Sequence, residues 1–206
     1  MLRSLSGNCL GAEGAAALAP AIAANGALTS IDLSGNMLCG LDEEGKGIYT
    51  AEGITAIANV LRVNGGLTSL NLSDNQLCGL DHHGSGTYTA EGITAIADAL
   101  RVNGGLTSLD LSNNALCGVT YGGGTYTAEG ITAIADALRV NGSLTALDLS
   151  SNCLKDEGVS AVCKAIQSNK ETKLTSLNFS DNGISPVGAN AVAAMVAVTG
   201  AQTKIN

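Results

Sequence analysis

Aromatic side chains are almost absent from these 206 residues: there is no tryptophan, the only phenylalanine is Phe179, and the tyrosines are Tyr49, Tyr88, Tyr121 and Tyr126. Protein interfaces draw most of their energy from a few Tyr, Trp or Arg anchors, so an anchor here has few places to sit. Basic residues are scarce too, 10 Lys and Arg against 18 Asp and Glu, for a net charge of −8. Phosphate recognition needs clustered cations, and these are scattered, which excludes nucleic acid as a partner. The two histidines, His82 and His83, are adjacent, so a catalytic triad would have to assemble around one loop. No Cys-x-x-Cys or Cys/His cluster has metal-ligand spacing, and Asp81-His82-His83 gives way to other residues in the equivalent loops. The expectation is no enzyme, no metal and no cofactor. No apolar run approaches the roughly 20 residues that span a bilayer, and Met1 to Leu5 lacks a signal-peptide core. A cytoplasmic protein without membrane contact is expected. The cysteines at 9, 39, 78, 117, 153 and 163 lack the spacing of a disulfide framework and read as free thiols.

What is present is periodic. Asn8, Asn36, Asn75, Asn114, Asn152 and Asn182 each close the phrase Leu-x-Leu-Ser-x-Asn-x-(Leu/Ile), with Arg3 replacing the first leucine of the opening copy, Ile31 that of the second and Phe179 the second leucine of the last. Successive asparagines are 28, 39, 39, 38 and 30 residues apart, a unit of about 28 with inserts. Leucines at alternate positions point into a core, and the asparagine satisfies backbone groups of the neighbouring turn. A 28-residue unit with a helix resembles the ribonuclease-inhibitor-like class of leucine-rich repeats, also found in nucleotide-binding immune receptors and Ran GTPase-activating proteins. The resemblance implies an α/β solenoid, a right-handed horseshoe with a parallel sheet on the concave side and helices on the convex side. Residues 1–206 would form a single domain of five to six repeats, with insert loops at 39–49, 78–88 and 117–126. Such scaffolds bind unrelated targets, so function is specified weakly.

Within a repeat, the pattern predicts strands near Leu28 to Leu33, Leu67 to Leu72, Leu106 to Leu111, Leu144 to Leu149 and Leu174 to Phe179. A helix follows each, opening at Thr50-Ala51-Glu52-Gly53 with Thr50 as cap and burying Ile54, Ile57 and Leu61. Asn64-Gly65 and Asn103-Gly104 supply residues suited to a left-handed helix end. Cys39, Cys78 and Cys117 should stack as buried thiols, and Cys163 should fill a small apolar site on a helix. Residues 86–112 and 124–150 match at 25 of 27 positions, which points to a recent duplication or an engineered consensus. The last helix, Ala189 to Val198, is apolar nearly all round. It reads as a frayed end or, alternatively, as a homodimer face through Val192, Met195, Val196 and Val198.

Two surfaces can meet a partner. On the concave sheet, Asp32, Asn71, Asp110 and Asp148 form a polar, acidic row that suits a basic partner. The inserts carry every tyrosine, and stacked they would form a ridge with variable tips: Asp42 and Glu43 in the first, His82 and His83 in the second, Tyr121 in the third. Variation on a fixed frame suits recognition. Alternatively, Tyr49, Tyr88 and Tyr126 pin each insert to its helix. The reading is a non-enzymatic scaffold binding a protein through ridge and concave face. One rival, implied by the resemblance, is a small-GTPase regulator of the Ran-activating type, although Arg62, Arg101 and Arg139 recur as helix-end residues. The other is an ice or polysaccharide binder using the hydroxyl ladder Thr29, Thr68, Thr107, Thr145 and Thr175.

Overall fold

The computed structural model describes residues 2–41, 46–81, 83–199 and 204–205. Among them, seven strands form one parallel sheet in chain order: β1 (Leu2–Ser4), β2 (Ser30–Asp32), β3 (Ser69–Asn71), β4 (Ser108–Asp110), β7 (Ala146–Asp148), β8 (Ser176–Asn178) and β9 (Lys204–Ile205). Between them run α1 (Gly11–Ala24), α2 (Glu52–Val63), α3 (Glu91–Leu100), α4 (Glu129–Leu138), α5 (Lys155–Ser168) and α6 (Pro186–Thr199), and β5 (Val119–Thr120) pairs antiparallel with β6 (Gly123–Gly124) inside the third insert. Every neighbouring pair in the large sheet is parallel. The result is an α/β leucine-rich repeat solenoid. Among the described residues no helix is long and apolar enough to cross a membrane.

β2, β3, β4, β7 and β8 are each three residues long, shorter than the leucine pattern predicts. Backbone pairing nonetheless continues past both ends, with Leu33 N–H donating to Asn71 O (3.0 Å) and Thr68 N–H to Thr29 O (2.8 Å). Leu67, Leu70 and Leu72 are buried, as are their counterparts in each neighbouring strand, which is the alternation that fixes register. The helices present Ile54, Ile57 and Leu61, and likewise Ile93, Ile96 and Leu100, to the same core. Thr50 acts one residue before the helix boundary, its Oγ1 accepting from Glu52 N–H at 3.2 Å. Cys39, Cys78 and Cys117 are buried and free, and Cys163 is buried on α5. Removal from water pushes the thiols of Cys39 and Cys117 up to about 12 and that of Cys78 well above its ordinary value.

The turn after each strand is held from its neighbour. The residues flanking the asparagine, such as Asp74 and Gln76 or Asn113 and Ala115, have φ near 55°, a left-handed conformation that costs a residue bearing a Cβ about 1 kcal/mol. Asn114 offsets that cost. Its Nδ2 donates to Leu72 O, Leu111 O and Ser112 O, while its Oδ1 accepts from Asn75 N–H (3.0 Å) and Leu77 N–H (3.4 Å). The same links run through Asn36, Asn75, Asn152 and Asn182.

A second asparagine ladder lies at the helix ends, and it corrects the sequence reading there. Asn64 has φ −93°, and Gly65 and Gly104 are not among the positive-φ residues, so no left-handed turn ends these helices. Instead Asn64 Nδ2 donates to Ile22 O at the end of α1, and its Oδ1 accepts from Gly66 and Leu67 N–H at 2.9 Å each. Asn103, Asn141 and Asn169 repeat the link. The side chain caps the preceding helix, which removes the need for a left-handed residue.

The C-terminal expectation also needs correction. α6 spans Pro186–Thr199, and the chain then returns to the sheet as β9. Met195 is fully buried, and Val192 and Val196 pack against the core, leaving only Val198 of the four proposed dimer residues exposed. One side of the helix closes the core, so of the homodimer face read from the sequence Met195 is removed, while Val192 and Val196 are half-buried and Val198 is exposed.

Candidate functional site

Each described insert closes on itself as a hairpin. Leu41 bridges Gly47, Leu80 bridges Gly86, and in the third insert β5 and β6 leave Tyr121 and Gly122 as the turn. Of the tip residues read from the sequence, Asp42, Glu43 and His82 lie outside the described residues. His83 is exposed, with its N–H donating to Asp81 Oδ1 at 2.9 Å. The inserts touch: a Cβ built on Gly122 would fall 2.0 Å from His83 O, so only glycine lets the third tip rest against the second.

Three of the four tyrosines are turned into the fold. Tyr88 Oη donates to Leu116 O (3.1 Å) and accepts from Gly130 N–H (3.0 Å), and Tyr49 makes the same pair with Leu77 O and Gly92 N–H one repeat earlier. Tyr126 Oη donates to Leu154 O at 2.9 Å, and Lys155 Nζ lies 4.9 Å from its ring centroid. The hydroxyl thus ties the insert of one repeat to the first turn of the next repeat's helix. Burial raises all three phenols above their ordinary value. Of the sequence's two readings for these residues, the geometry matches the packing one. Tyr88→Phe, which keeps the ring and removes both hydrogen bonds, is expected to lower stability by about 1–3 kcal/mol in urea denaturation with an unchanged m value. An unchanged midpoint would mean that the hydroxyl is not a strut.

Tyr121 differs. It is 79% exposed, and Ile48, at the base of the first insert's hairpin, is 86% exposed, an apolar residue that the repeat pattern does not flag because the other inserts carry threonine there. A second apolar row, Val63, Val102 and Val140, is exposed at the helix ends.

On the sheet, Asp32, Asn71, Asp110 and Asp148 sit directly across from one another in register. Part of each side chain is already used: Asp110 Oδ1 accepts from Ser112 N–H (2.9 Å) and Ser112 Oγ (2.7 Å), and Asp32 and Asp148 do likewise with Ser34 and Ser150. Asp148 Oδ2 also accepts from Asn178 Nδ2 at 2.8 Å. The threonine ladder is committed as well, since Thr68, Thr107, Thr145 and Thr175 each donate their hydroxyl to the preceding repeat's threonine carbonyl at 3.0–3.1 Å. A surface that must donate to ice or sugar has those protons already engaged. Arg101 and Arg139 pair with Asp98 and Asp136 on their own helices.

The family model described as "Leucine Rich repeat" matches residues 4–19, 140–163 and 170–193, and a second, "Leucine Rich Repeat", matches 66–86. No curated protein sequence matches the chain. Among solved structures, it is similar to the leucine-rich repeat-containing protein LegL7 from Legionella pneumophila, with 21% identity and a TM-score of 0.62 over all of this chain and 55% of that one. The chain therefore spans about half the length of that relative. It is also similar to leiomodin-1 actin-binding site 2, with 22% identity and a TM-score of 0.56 over 82% of this chain and 79% of that one. At such identities the likeness concerns fold alone. With alternate leucines in the core, asparagines linking successive turns, an in-register parallel sheet and matching repeat models, the chain is a leucine-rich repeat protein.

Proposed function

We propose that this protein is a non-enzymatic, cytoplasmic scaffold whose protein partner docks on the insert ridge and the adjoining face of the sheet. The observation that carries this reading is Tyr121: a large amphipathic ring, 79% exposed, on a hairpin tip braced against the neighbouring insert. A preorganised aromatic loses little conformational entropy on binding. Ile48 extends the apolar surface along the ridge, and the aspartate row supplies charge beside it. The leiomodin-1 segment of the same fold is named for actin binding, so protein recognition on this scaffold has a precedent, without making actin the partner here. The GTPase-regulator and hydroxyl-ladder readings lose ground, because Arg101 and Arg139 pair with aspartates of their own helices and Thr68, Thr107, Thr145 and Thr175 already donate their hydroxyls to neighbouring carbonyls.

A photo-crosslinking residue placed at position 121 tests the reading. In lysate it is expected to give a discrete crosslinked band that the same residue at position 108, on the sheet, gives weakly. A band from position 108 and none from position 121 would move the binding surface off the ridge.

A further inference from the structure

We propose that the cavity between the second and third inserts receives the ε-ammonium of a lysine on the partner, with Asp81 as its counter-charge. This deepens the ridge reading and rests on it. Asp81 is 1% exposed. Its Oδ1 accepts from His83 N–H (2.9 Å) and Ser85 N–H (2.7 Å), whereas its Oδ2 is buried and, among the described residues, has no hydrogen-bond partner. A carboxylate oxygen out of water without a donor is costly, and native proteins leave few of them. Asp81 lines a cavity of about 30 Å³ together with Leu80, Ala115, Val119 and Tyr121. Asp74 and Asn113 also line it, and both are exposed, so the mouth lies at the surface.

Size and chemistry select the occupant. A water needs about 10–15 Å³ of such cavity space, so about 30 Å³ admits a compact ammonium head, whereas a guanidinium is a planar fork of three nitrogens with a larger footprint. Leu80, Ala115 and Val119 offer apolar walls to a methylene stem, and the Tyr121 ring in the same lining supplies an aromatic surface for a cation. Asp74 adds negative charge at the mouth, in a chain of net charge −8. A calcium ion needs six to eight oxygen ligands, and among the described residues no group of three or more His, Cys, Asp or Glu is placed to hold a metal.

The test is a titration of the ¹⁵N-labelled chain with Nα-acetyl-lysine methylamide, following the His83 and Ser85 amides that donate to Asp81. Saturable shifts at both amides are expected, with none from the Nε-acetylated probe and binding about tenfold weaker for the arginine analogue. Asp81→Asn should abolish the effect, and Tyr121→Ala should weaken it about tenfold while leaving the free-state loop amides unmoved. Should Asp81→Asn disturb the loop, the charged and Nε-acetylated probes on the unaltered chain still decide. Equal shifts from both probes, or no shift from either, would overturn the proposal, and shifts produced by calcium alone would replace it with a metal site. Because no partner is present, failure here leaves a crosslink from position 121 standing. A positive titration without that crosslink would remove the ridge reading and keep the ammonium site.

Discussion

Asn114→Ala is expected to cost about 3–5 kcal/mol, at the upper end of what a point substitution does to a folded domain. The alanine leaves Asn75 N–H and Leu77 N–H without their acceptor and takes the donor from Leu72 O, Leu111 O and Ser112 O, all in one buried turn. Each orphaned buried group costs about 1–3 kcal/mol, partly relieved if water reaches it. Two left-handed residues, Asn113 and Ala115, also lose their support. Asn8→Ala is the control: Asn8 is exposed and its side chain only donates, to Leu5 O and Ser6 O, so about 1 kcal/mol or less is expected. Chemical denaturation of both variants checks the contrast. Similar losses for the two would mean that the asparagine ladder is not what couples successive repeats.

Alkali is expected to unfold the protein steeply. Burial holds the thiols of Cys39 and Cys117 protonated in the folded state to about 12 and pushes that of Cys78 well above its ordinary value, whereas the unfolded chain releases these protons near the ordinary value of 9.0. Folded groups with raised values contribute stability that is whole below the unfolded value and is lost as pH rises towards the folded one. Each group sets a slope of about 1.4 kcal/mol per pH unit, so the three together approach about 4 kcal/mol per unit between roughly pH 9 and 12. Tyr49, Tyr88 and Tyr126 add to the loss above their ordinary value of 10.0. Against a net stability of about 5–15 kcal/mol, this predicts a flat melting temperature to about pH 8.5 and collapse by about pH 11. The triple variant Cys39→Ala, Cys78→Ala, Cys117→Ala should flatten the fall. A melting temperature constant to pH 11 in the unaltered chain would contradict the burial of these thiols.

How much of this is legible in the sequence depends on how local each cause is. The leucine alternation and the first asparagine ladder can be read because the phrase carries its own register, so Asn75 announces its role through Leu70 and Leu72. The second ladder escapes such a reading although Asn25, Asn64, Asn103, Asn141 and Asn169 recur with the repeat. Asn-Gly suggests a left-handed turn when read alone, and the competing acceptor, Ile22 O, is 42 residues away. For the repeated tyrosines the sequence leaves both roles open, and their orientation depends on Gly92 and Gly130, where the missing Cβ lets the hydroxyl approach the next helix. Met195 passes for a surface residue because apolar composition on all sides of a helix does not say which face is covered. Asp81 is legible only as part of an Asp-His-His stretch: an aspartate in a Gly- and His-rich loop looks solvated, whereas it is 1% exposed and shares a cavity with residues of the third insert.

Docking of a partner on the ridge through Tyr121 is tested most directly by calorimetry on the crosslinked partner, with two variants of this chain. Tyr121→Ala removes the exposed ring, while Asp110→Asn removes charge from the sheet row and keeps the acceptor that Asn71 already provides at the same register. A loss of affinity of about thirtyfold or more is predicted for Tyr121→Ala, and a loss of no more than about fivefold for Asp110→Asn. Unchanged affinity for Tyr121→Ala, with binding lost in Asp110→Asn, would contradict ridge docking and make the sheet the site.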